Sequence, residues 1–259
     1  MRMRATLGVV TGALALSAIA VPAAQADDAY GDTTVSGISV NAGKAVVVGS
    51  TATKTVTVSF TVKDDSGVKN AMALLWHGSD FDNADSAATA NSSDAYAKCT
   101  KVNATTSTCK ATYDLKPGYN AINAVAGTWK VWVIASGKDG DFVQKDNAKT
   151  FKLQRLSKLT VNASPEPVKK GKTITVTGKL TRANWDANKY SGYTAQPVKL
   201  QFRKAGSNTY TTVKTIKTNS TGNLSTTVKA SVDGYFRYSF AGTSTTPAVN
   251  AAGDYVDVN

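Results

Sequence analysis

The stretch Val198-Lys199-Leu200-Gln201-Phe202-Arg203 alternates apolar and polar side chains without a break. A second stretch of the same kind, Tyr235-Phe236-Arg237-Tyr238-Ser239-Phe240, follows later in the chain. Because successive side chains of a β-strand point to opposite faces, each stretch predicts a strand with one buried face and one wet face. Two sheets that pack face to face are built from such strands, so the pattern predicts a β-sandwich.

Similar short runs, bounded by Gly, Asn, Asp or Pro, recur on both sides of these two stretches and contain many β-branched residues. Glu166 is the only glutamate, and no amphipathic helix is evident, so helices are not expected. The predicted fold class is all-β, with two tandem Ig-like β-sandwich domains. The predicted strands are Val35–Val40, Lys54–Val62, Ala71–Trp76, Ala95–Lys101, Thr108–Asp114, Thr128–Ala135, Lys149–Leu153, Lys158–Asn162, Thr173–Leu180, Val198–Arg203, Tyr210–Ile216, Leu224–Val228, Tyr235–Phe240 and Tyr255–Val258.

The two halves of the chain differ in charge, within a total of +12. Residues 27–155 hold 14 basic and 13 acidic residues, a balance of +1, whereas residues 156–259 hold 14 and 5, a balance of +9. A change of this size indicates separate domains. No linker rich in Gly, Ser or Pro lies between them, so we expect residues 27–155 and 156–259 to form two closely joined domains.

The first 26 residues have the pattern of a secretory signal peptide. Arg2 and Arg4 precede an uncharged run from Leu7 to Val21, and Ala24-Gln25-Ala26 is a small-x-small cleavage site. The run is too short to span a bilayer, and no other run is long enough, so we predict no membrane span. We expect a secreted protein, extracellular or envelope-associated, that does not meet intracellular nucleic acid.

The two cysteines lie in alternating runs on either side of the turn Asn103-Ala104-Thr105-Thr106. An even number of cysteines in an exported protein favours a disulfide. A reactive pair would call for a CxxC spacing or a nearby histidine, and neither is present. We therefore predict that Cys99 and Cys109 form a structural disulfide that closes a hairpin.

Several motifs resemble known secreted modules. The second half is similar to an Ig-like domain that recurs in small secreted actinobacterial proteins, many of which have no assigned role. The first half is similar to bacterial Ig-like modules. These resemblances imply the fold and the compartment, and they leave adhesion, spacing and ligand binding all open. They rest on Ser164-Pro165-Glu166-Pro167-Val168, Lys172-Thr173-Ile174-Thr175-Val176-Thr177-Gly178, Pro197-Val198-Lys199-Leu200-Gln201-Phe202, Asp233-Gly234-Tyr235-Phe236-Arg237, Asp64-Asp65-Ser66-Gly67-Val68 and Ala126-Gly127-Thr128-Trp129.

Catalytic motifs are absent from the sequence: it has no GxSxG elbow, HExxH, P-loop or GxGxxG. His77 is the only histidine, and no nucleophile motif accompanies it. A glycosidase would need two carboxylates with different pKa values, and nothing in the sequence marks such a pair. We predict that the protein is not an enzyme and that it requires no cofactor.

Four aspartates are candidates for a calcium site. Asp64 and Asp65 follow a strand in the position of a B–C loop, and Asp139 and Asp141 follow one in the position of an F–G loop. In an Ig sandwich these two loops lie at the same end, and Ca²⁺ prefers such carboxylate oxygens. The alternative, which we favour, is that these aspartates serve ordinary turns.

Two further groups are candidate contacts. Lys199, Arg203, Lys204 and Arg237 lie on neighbouring strands and could bind a polyanion, although a solvated lysine-rich face is the simpler interpretation. Trp185, Tyr190 and Tyr193 lie in the polar connection 182–193 and could form an exposed contact for sugars or proteins. They could equally fold back and cap a core.

Together these features predict a secreted, non-enzymatic binding or structural module. Its partner would be an anionic cell-wall polymer or a polysaccharide, held through the basic second half, or another extracellular protein. The alternative is an extracellular inhibitor or regulator of a secreted enzyme. That function would use the Cys99–Cys109 hairpin or the loop Gly78–Asp94, which has no strong pattern beyond a possible helical turn.

Overall fold

The structure, a computed structural model, describes residues 27–259. The predicted signal peptide, residues 1–26, lies outside the described residues. The fold is all-β and Ig-like, as the alternating pattern predicts. Two short 3-10 helices, Asn41–Gly43 and Asn123–Val125, interrupt the strands, and neither is long and apolar enough to cross a membrane.

We call the strands β1–β10 and the core they enclose the first sandwich. One sheet has six strands in the order β1-β10-β9-β5-β6, with β3 added parallel to β10, and the other has four in the order β2-β4-β8-β7. Aromatic and aliphatic side chains from both sheets fill the core. The strands are β1 Asp28–Tyr30, β2 Thr34–Val40, β3 Val46–Val48, β4 Lys54–Lys63, β5 Val68–His77, β6 Ser86–Ala88, β7 Lys98–Lys101, β8 Thr106–Leu115, β9 Gly127–Gly137 and β10 Phe142–Arg155.

We call the strands β11–β20 and their core the second sandwich. One sheet is built around β13, which pairs with β11, β12, β14 and β17, and the other has the order β16-β15-β18-β19, with β20 also on β18. A separate cluster of buried side chains lies between them. The strands are β11 Ser157–Leu159, β12 Asn162–Ser164, β13 Thr173–Asn184, β14 Lys189–Gly192, β15 Pro197–Lys204, β16 Thr211–Lys217, β17 Asn223–Lys229, β18 Gly234–Phe240, β19 Val249–Asn250 and β20 Asp254–Val256.

Several elements differ from the expectation, among them the short strands β1, β3 and β19, which were not predicted. The loop Gly78–Asp94 contains the short strand β6, which pairs with the end of β5. The connection 182–193 is a hairpin made by the end of β13 and β14. Strand β10 begins at Phe142, ahead of the predicted start, and passes through a bulge where the carbonyl oxygen of Asp146 accepts a 2.8 Å hydrogen bond from Trp76 Nε1.

The two sandwiches are joined by backbone hydrogen bonds as well as by the chain. The Leu156 N–H donates to the Val48 carbonyl oxygen, and the Arg155 N–H donates to that of Thr245. The Gln154 amide also reaches the carbonyl oxygens of Thr243 and Ser244. These contacts fix the end of β10 against the second sandwich.

Candidate functional site

The outer face of the sheet formed by β15, β16 and β18 carries arginine and tyrosine side chains. In the antiparallel register of β15 and β18, Gln201 lies opposite Arg237 and Arg203 lies opposite Tyr235. Their neighbours Phe202, Phe236 and Tyr238 point inward, so alternation places the polar set outside. We call this set, with Lys199, Tyr210 and Tyr255, the arginine face.

Stacking and hydrogen bonds hold both guanidinium groups of the arginine face in place. The Arg203 guanidinium lies 3.8 Å from the centre of the Tyr235 ring, and that of Arg237 lies 3.8 Å from the centre of the Tyr210 ring. Arg203 donates to the Ser207 carbonyl oxygen at 2.8 Å, and Arg237 donates through Nε to Gln201 at 2.9 Å. Such contacts with an aromatic ring lower the entropy that either arginine would lose on binding.

The two arginines of this face have no acidic partner. Within residues 27–259, no carboxylate oxygen lies within 4.0 Å of either guanidinium. Each guanidinium group carries five N–H donors and makes one hydrogen bond to a protein oxygen. Most of its donors therefore remain for a ligand. The arginine face is therefore equipped to bind anions.

The structure brings together three of the four predicted polyanion-binding residues. Lys199 and Arg203 project from the same face of β15, and Arg237 projects beside them from β18. Lys204 follows Arg203 directly, so its side chain projects from the opposite face of β15. It lies at the end of that strand, where it lines a surface cavity with Lys170. The three tyrosines were not predicted, although Tyr235 stands two positions before Arg237, on the same strand face.

The predicted calcium ligands converge at one end of the first sandwich. Carboxylate oxygens of Asp64, Asp65 and Asp139 lie within 4.8 Å of one another. A second group within the same distance combines Asp64 and Asp141 with Asp32, which the sequence interpretation did not include. We call these five aspartates the acidic end.

Asp64 is the buried member of the acidic end, and hydrogen bonds from the protein hold its carboxylate. It accepts hydrogen bonds from the Thr33 hydroxyl and from the N–H and hydroxyl of Ser66. Burial alone would raise the pKa of Asp64, but these donors hold the pKa below its usual value. A Cβ at Gly137 would overlap this carboxylate, which explains the glycine at the end of β9.

Asp65 is exposed, and its pKa is shifted in the opposite direction from that of Asp64. Repulsion from Asp32 raises the pKa of Asp65, with smaller contributions from desolvation and from Asp139. Among the described residues, no lysine or arginine nitrogen lies within 4.0 Å of the acidic end. The Asp139 carboxylate accepts a turn hydrogen bond from the Asp141 N–H, as the alternative interpretation expects, whereas the Asp141 carboxylate accepts one from the distant Asp32 N–H. Calcium binding here stays a prediction.

The predicted aromatic contact needs a correction, because Trp185 is fully buried. Its ring enters the core of the first sandwich, and its Nε1 donates to the Val48 carbonyl oxygen at 3.3 Å. Tyr190 and Tyr193 are half-buried, each stacked against a cation: Lys158 at 3.9 Å and Arg182 at 3.9 Å, respectively. The hairpin is therefore a connection between sandwiches, and Trp185 is not available to an external ligand.

The predicted disulfide between Cys99 and Cys109 is confirmed. The two residues lie directly opposite each other in β7 and β8, so the bridge closes the hairpin across its strands. Beside it, a cavity of about 390 Å³ lies between this hairpin and the loop Gly78–Asp94. Tyr96, which is 40% exposed, forms one wall of that cavity.

Comparison with known proteins extends the description of the fold. Residues 40–135 match the model of a family of unknown function, DUF5707. This match covers less than half of the chain and includes most of the first sandwich. No curated protein sequence matches the chain.

Several solved structures are similar to the chain at low identity. The D00–D0 domain of intimin is 18% identical, over 85% of this chain and 98% of that one, with a TM-score of 0.28. The Yersinia pseudotuberculosis adhesin InvE is 14% identical, over 88% and 58%, with a TM-score of 0.27. Titin domains z1z2 in complex with telethonin are 11% identical, over 89% and 95%, with a TM-score of 0.21. These values bear on the fold alone and support no argument about function.

Proposed function

We propose that the protein is an extracellular, non-enzymatic binding module that holds an anionic polymer on its arginine face. The observation that carries the proposal is the pair Arg203 and Arg237, which are stacked on tyrosines and have no acidic partner within 4.0 Å among residues 27–259. Guanidinium groups bind phosphate, sulfate and carboxylate through two parallel N–H donors. Because both groups are already oriented, little conformational freedom would be lost when an anion binds.

The shape of the arginine face favours an extended ligand. It is the outer surface of a sheet and not an enclosed cleft of the kind that binds small molecules. The exposed Lys199 adds positive charge along β15. Tyr235 and Tyr255, whose rings lie 5.1 Å apart, add aromatic surface at the other end, on which sugar rings can pack. An anionic polysaccharide or a phosphate-containing cell-wall polymer combines both chemistries.

The setting of the one histidine supports a role without catalysis. His77 Nδ1 contacts Asp85 at 2.6 Å, the arrangement that orients a catalytic base. Within the described part of the chain, that contact is the only hydrogen bond of the ring. Ser86 lies opposite His77 in the pair β5–β6, but its hydroxyl donates to the Asn120 carbonyl oxygen. The proposal of a binding role therefore rests on the arginine face and not on His77.

Salt-sensitive retention tests the proposal. Residues 27–259 are applied to purified cell wall and to an immobilised anionic polysaccharide, and the dissociation constant is measured from 50 to 300 mM salt. We expect Arg203→Gln/Arg237→Gln to weaken binding more than tenfold and to reduce the salt dependence, because released counterions drive such binding. Arg203→Lys/Arg237→Lys keeps the charge but loses the planar donors, so an intermediate loss is expected.

The matched control removes the same net charge elsewhere in the second half. Lys169 and Lys172 are exposed and lie outside the arginine face, before β13. Lys169→Gln/Lys172→Gln should cost less than threefold in affinity. If this control weakens binding as much as the arginine double variant does, net charge alone holds the polymer and the proposed site is wrong.

A second candidate function is the inhibition or regulation of a secreted enzyme. The cavity between the disulfide hairpin and the loop Gly78–Asp94, with the exposed Tyr96 in its wall, is the observation that favours it. Reduction of Cys99–Cys109 would abolish inhibition by this surface. Retention of a polymer on the arginine face would survive the same treatment.

A further inference from the structure

A second pair of arginines lies where the two sandwiches meet. Arg155 ends β10 and is only 7% exposed, and Arg182 lies near the end of β13. Burial, followed by repulsion from Arg182, lowers the pKa of Arg155 to about 10. Within residues 27–259, no carboxylate oxygen lies within 4.0 Å of either guanidinium. The two residues meet at the same place, because Arg155 Nε bonds the carbonyl oxygen of Ala183, the neighbour of Arg182, and the Arg155 N–H donates to Thr245, the neighbour of the Thr246 that Arg182 contacts.

The donors of Arg155 are only partly used by the protein. Its Nε donates to the Ala183 carbonyl oxygen at 2.6 Å. Its two terminal nitrogens donate to no protein acceptor in the described part of the chain. Neither nitrogen is fully buried, because among the described residues the only fully buried side-chain nitrogen or oxygen without a hydrogen bond is Trp132 Nε1. These donors therefore keep some contact with solvent.

Hydroxyl groups surround the second arginine. Arg182 stacks on Tyr193 at 3.9 Å, and its Nη1 is 3.5 Å from the hydroxyl oxygen of Thr246. The Tyr193 hydroxyl lies 3.4 Å from that of Thr243. We call Arg155, Arg182, Tyr193, Thr243 and Thr246 the junction pocket. Its side chains offer guanidinium and hydroxyl donors, the groups that bind oxyanions in proteins.

Asp186, the acidic residue whose charge acts on Arg155, already accepts a hydrogen bond from another residue. Asp186 attracts Arg155 electrostatically but lies beyond 4.0 Å, and its Oδ1 accepts a hydrogen bond from the Asn123 N–H at 2.9 Å. A buried charge without a counter-ion is costly in free energy. An anion between the two arginines would remove this cost without any rearrangement of Asp186.

We propose that the junction pocket binds a small tetrahedral oxyanion, phosphate or sulfate, between Arg155 and Arg182. The planar donor sets of two arginines match the oxygens of such an ion. The ion must be small because Arg155 is almost buried. This site shares no residue with the arginine face, so the two proposals can be tested independently of each other. Because both sandwiches contribute to it, the ion would also strengthen their junction.

Calorimetric titration of residues 27–259 with sodium phosphate and with sodium sulfate, at constant ionic strength, tests this site. Sodium chloride serves as the control for general screening. We expect saturable binding of one phosphate or sulfate per chain and a melting temperature that rises with ligand concentration, with neither effect from chloride at equal ionic strength. No saturable heat up to 10 mM, or an equal melting shift with chloride, would overturn the proposal.

Arg155 is buried, so a variant at that position could fail to fold, and Arg182 is the position to change. Arg182→Gln should lower the affinity for phosphate at least tenfold, while Arg182→Lys should retain part of it. Arg203→Gln/Arg237→Gln should bind phosphate like the unchanged chain, and Arg182→Gln should still be retained on polymer. Unchanged phosphate binding by a folded Arg182→Gln would show that the ion binds elsewhere.

Discussion

The two sandwiches have similar cores but carry their charged side chains in different places. Each core contains a buried tyrosine whose hydroxyl crosses to a carbonyl oxygen of the opposite sheet at 2.8 Å: Tyr113 to Ala73 and Tyr238 to Val176. Outside these cores, the first sandwich collects carboxylates on loops at one end, whereas the second displays arginines on a sheet face. An Ig-like core therefore leaves its exterior open to different ligands, through loops in one case and strands in the other.

The largest effect should come from the residue that joins the two sandwiches. Trp185→Ala removes a fully buried indole from the first core and should lower the free energy of unfolding by about 4 kcal/mol. Denaturation followed by fluorescence should then show two transitions where the unchanged chain shows one. Tyr255→Ala, at a 40% exposed position, is the control and should cost less than about 1 kcal/mol. A single, unshifted transition in Trp185→Ala would show that the sandwiches are stable without this contact.

Asp64 separates the structural part of the acidic end from the rest. Asp64→Ala would leave the Thr33 hydroxyl and the Ser66 donors without an acceptor, at a cost of about 3 kcal/mol. Because donors lower the pKa of Asp64, its contribution is present above the unfolded pKa and is lost as the pH falls through the folded value. Urea denaturation at several pH values would measure both effects. Asp139→Ala is the exposed control, and an equal loss there would contradict the assigned role of Asp64.

The disulfide belongs to the first sandwich alone, so its removal should affect only that half. Cys99→Ser/Cys109→Ser should lower stability by about 2–3 kcal/mol, since the bridge closes a short loop in the unfolded chain. Polymer retention at low temperature should not change, because the arginine face lies in the other sandwich. A loss of retention in the folded variant would instead link the two halves functionally.

Calcium should have the smallest effect and bears on the acidic end directly. With a dissociation constant near 1 mM, 10 mM Ca²⁺ would stabilise the chain by about 1.4 kcal/mol and raise its melting temperature by about 3 °C. Asp65→Asn/Asp139→Asn should remove that shift. Without calcium, Asp65→Asn alone should raise the melting temperature slightly, because repulsion raises the pKa of Asp65 and its charge destabilises the fold above that pKa. If the melt in EDTA and the melt in calcium coincide, these aspartates serve turns only.

Much of this arrangement could be predicted from the sequence because strand alternation is a local property. The runs at 198–203 and 235–240 defined two neighbouring strands, and alternation alone placed Arg203 and Arg237 on the same face. The convergence of Asp64 with Asp139 followed from the loop order of an Ig sandwich. Asp32 could not be predicted because it lies in the turn between β1, a short strand at the sheet edge, and β2.

Features that depend on contacts between distant segments could not be predicted. Trp185 stands in a polar stretch, and only the docking of the two sandwiches shows that its ring enters the first core. Tyr210 precedes β16, and its position over Arg237 depends on how that turn folds back. The pairing of Arg155 with Arg182 likewise arises across the junction, where no periodic pattern links the two residues.

Because Trp185 is buried in the first core, that core stays incomplete until a later part of the chain has been synthesised. The ribosome completes all strands of the first sandwich at Arg155, well before it reaches Trp185. Until then the space beside the Val48 carbonyl oxygen is unfilled, and the newly made first sandwich exposes part of its interior. A chain truncated after Arg155 should therefore be degraded faster than the full chain.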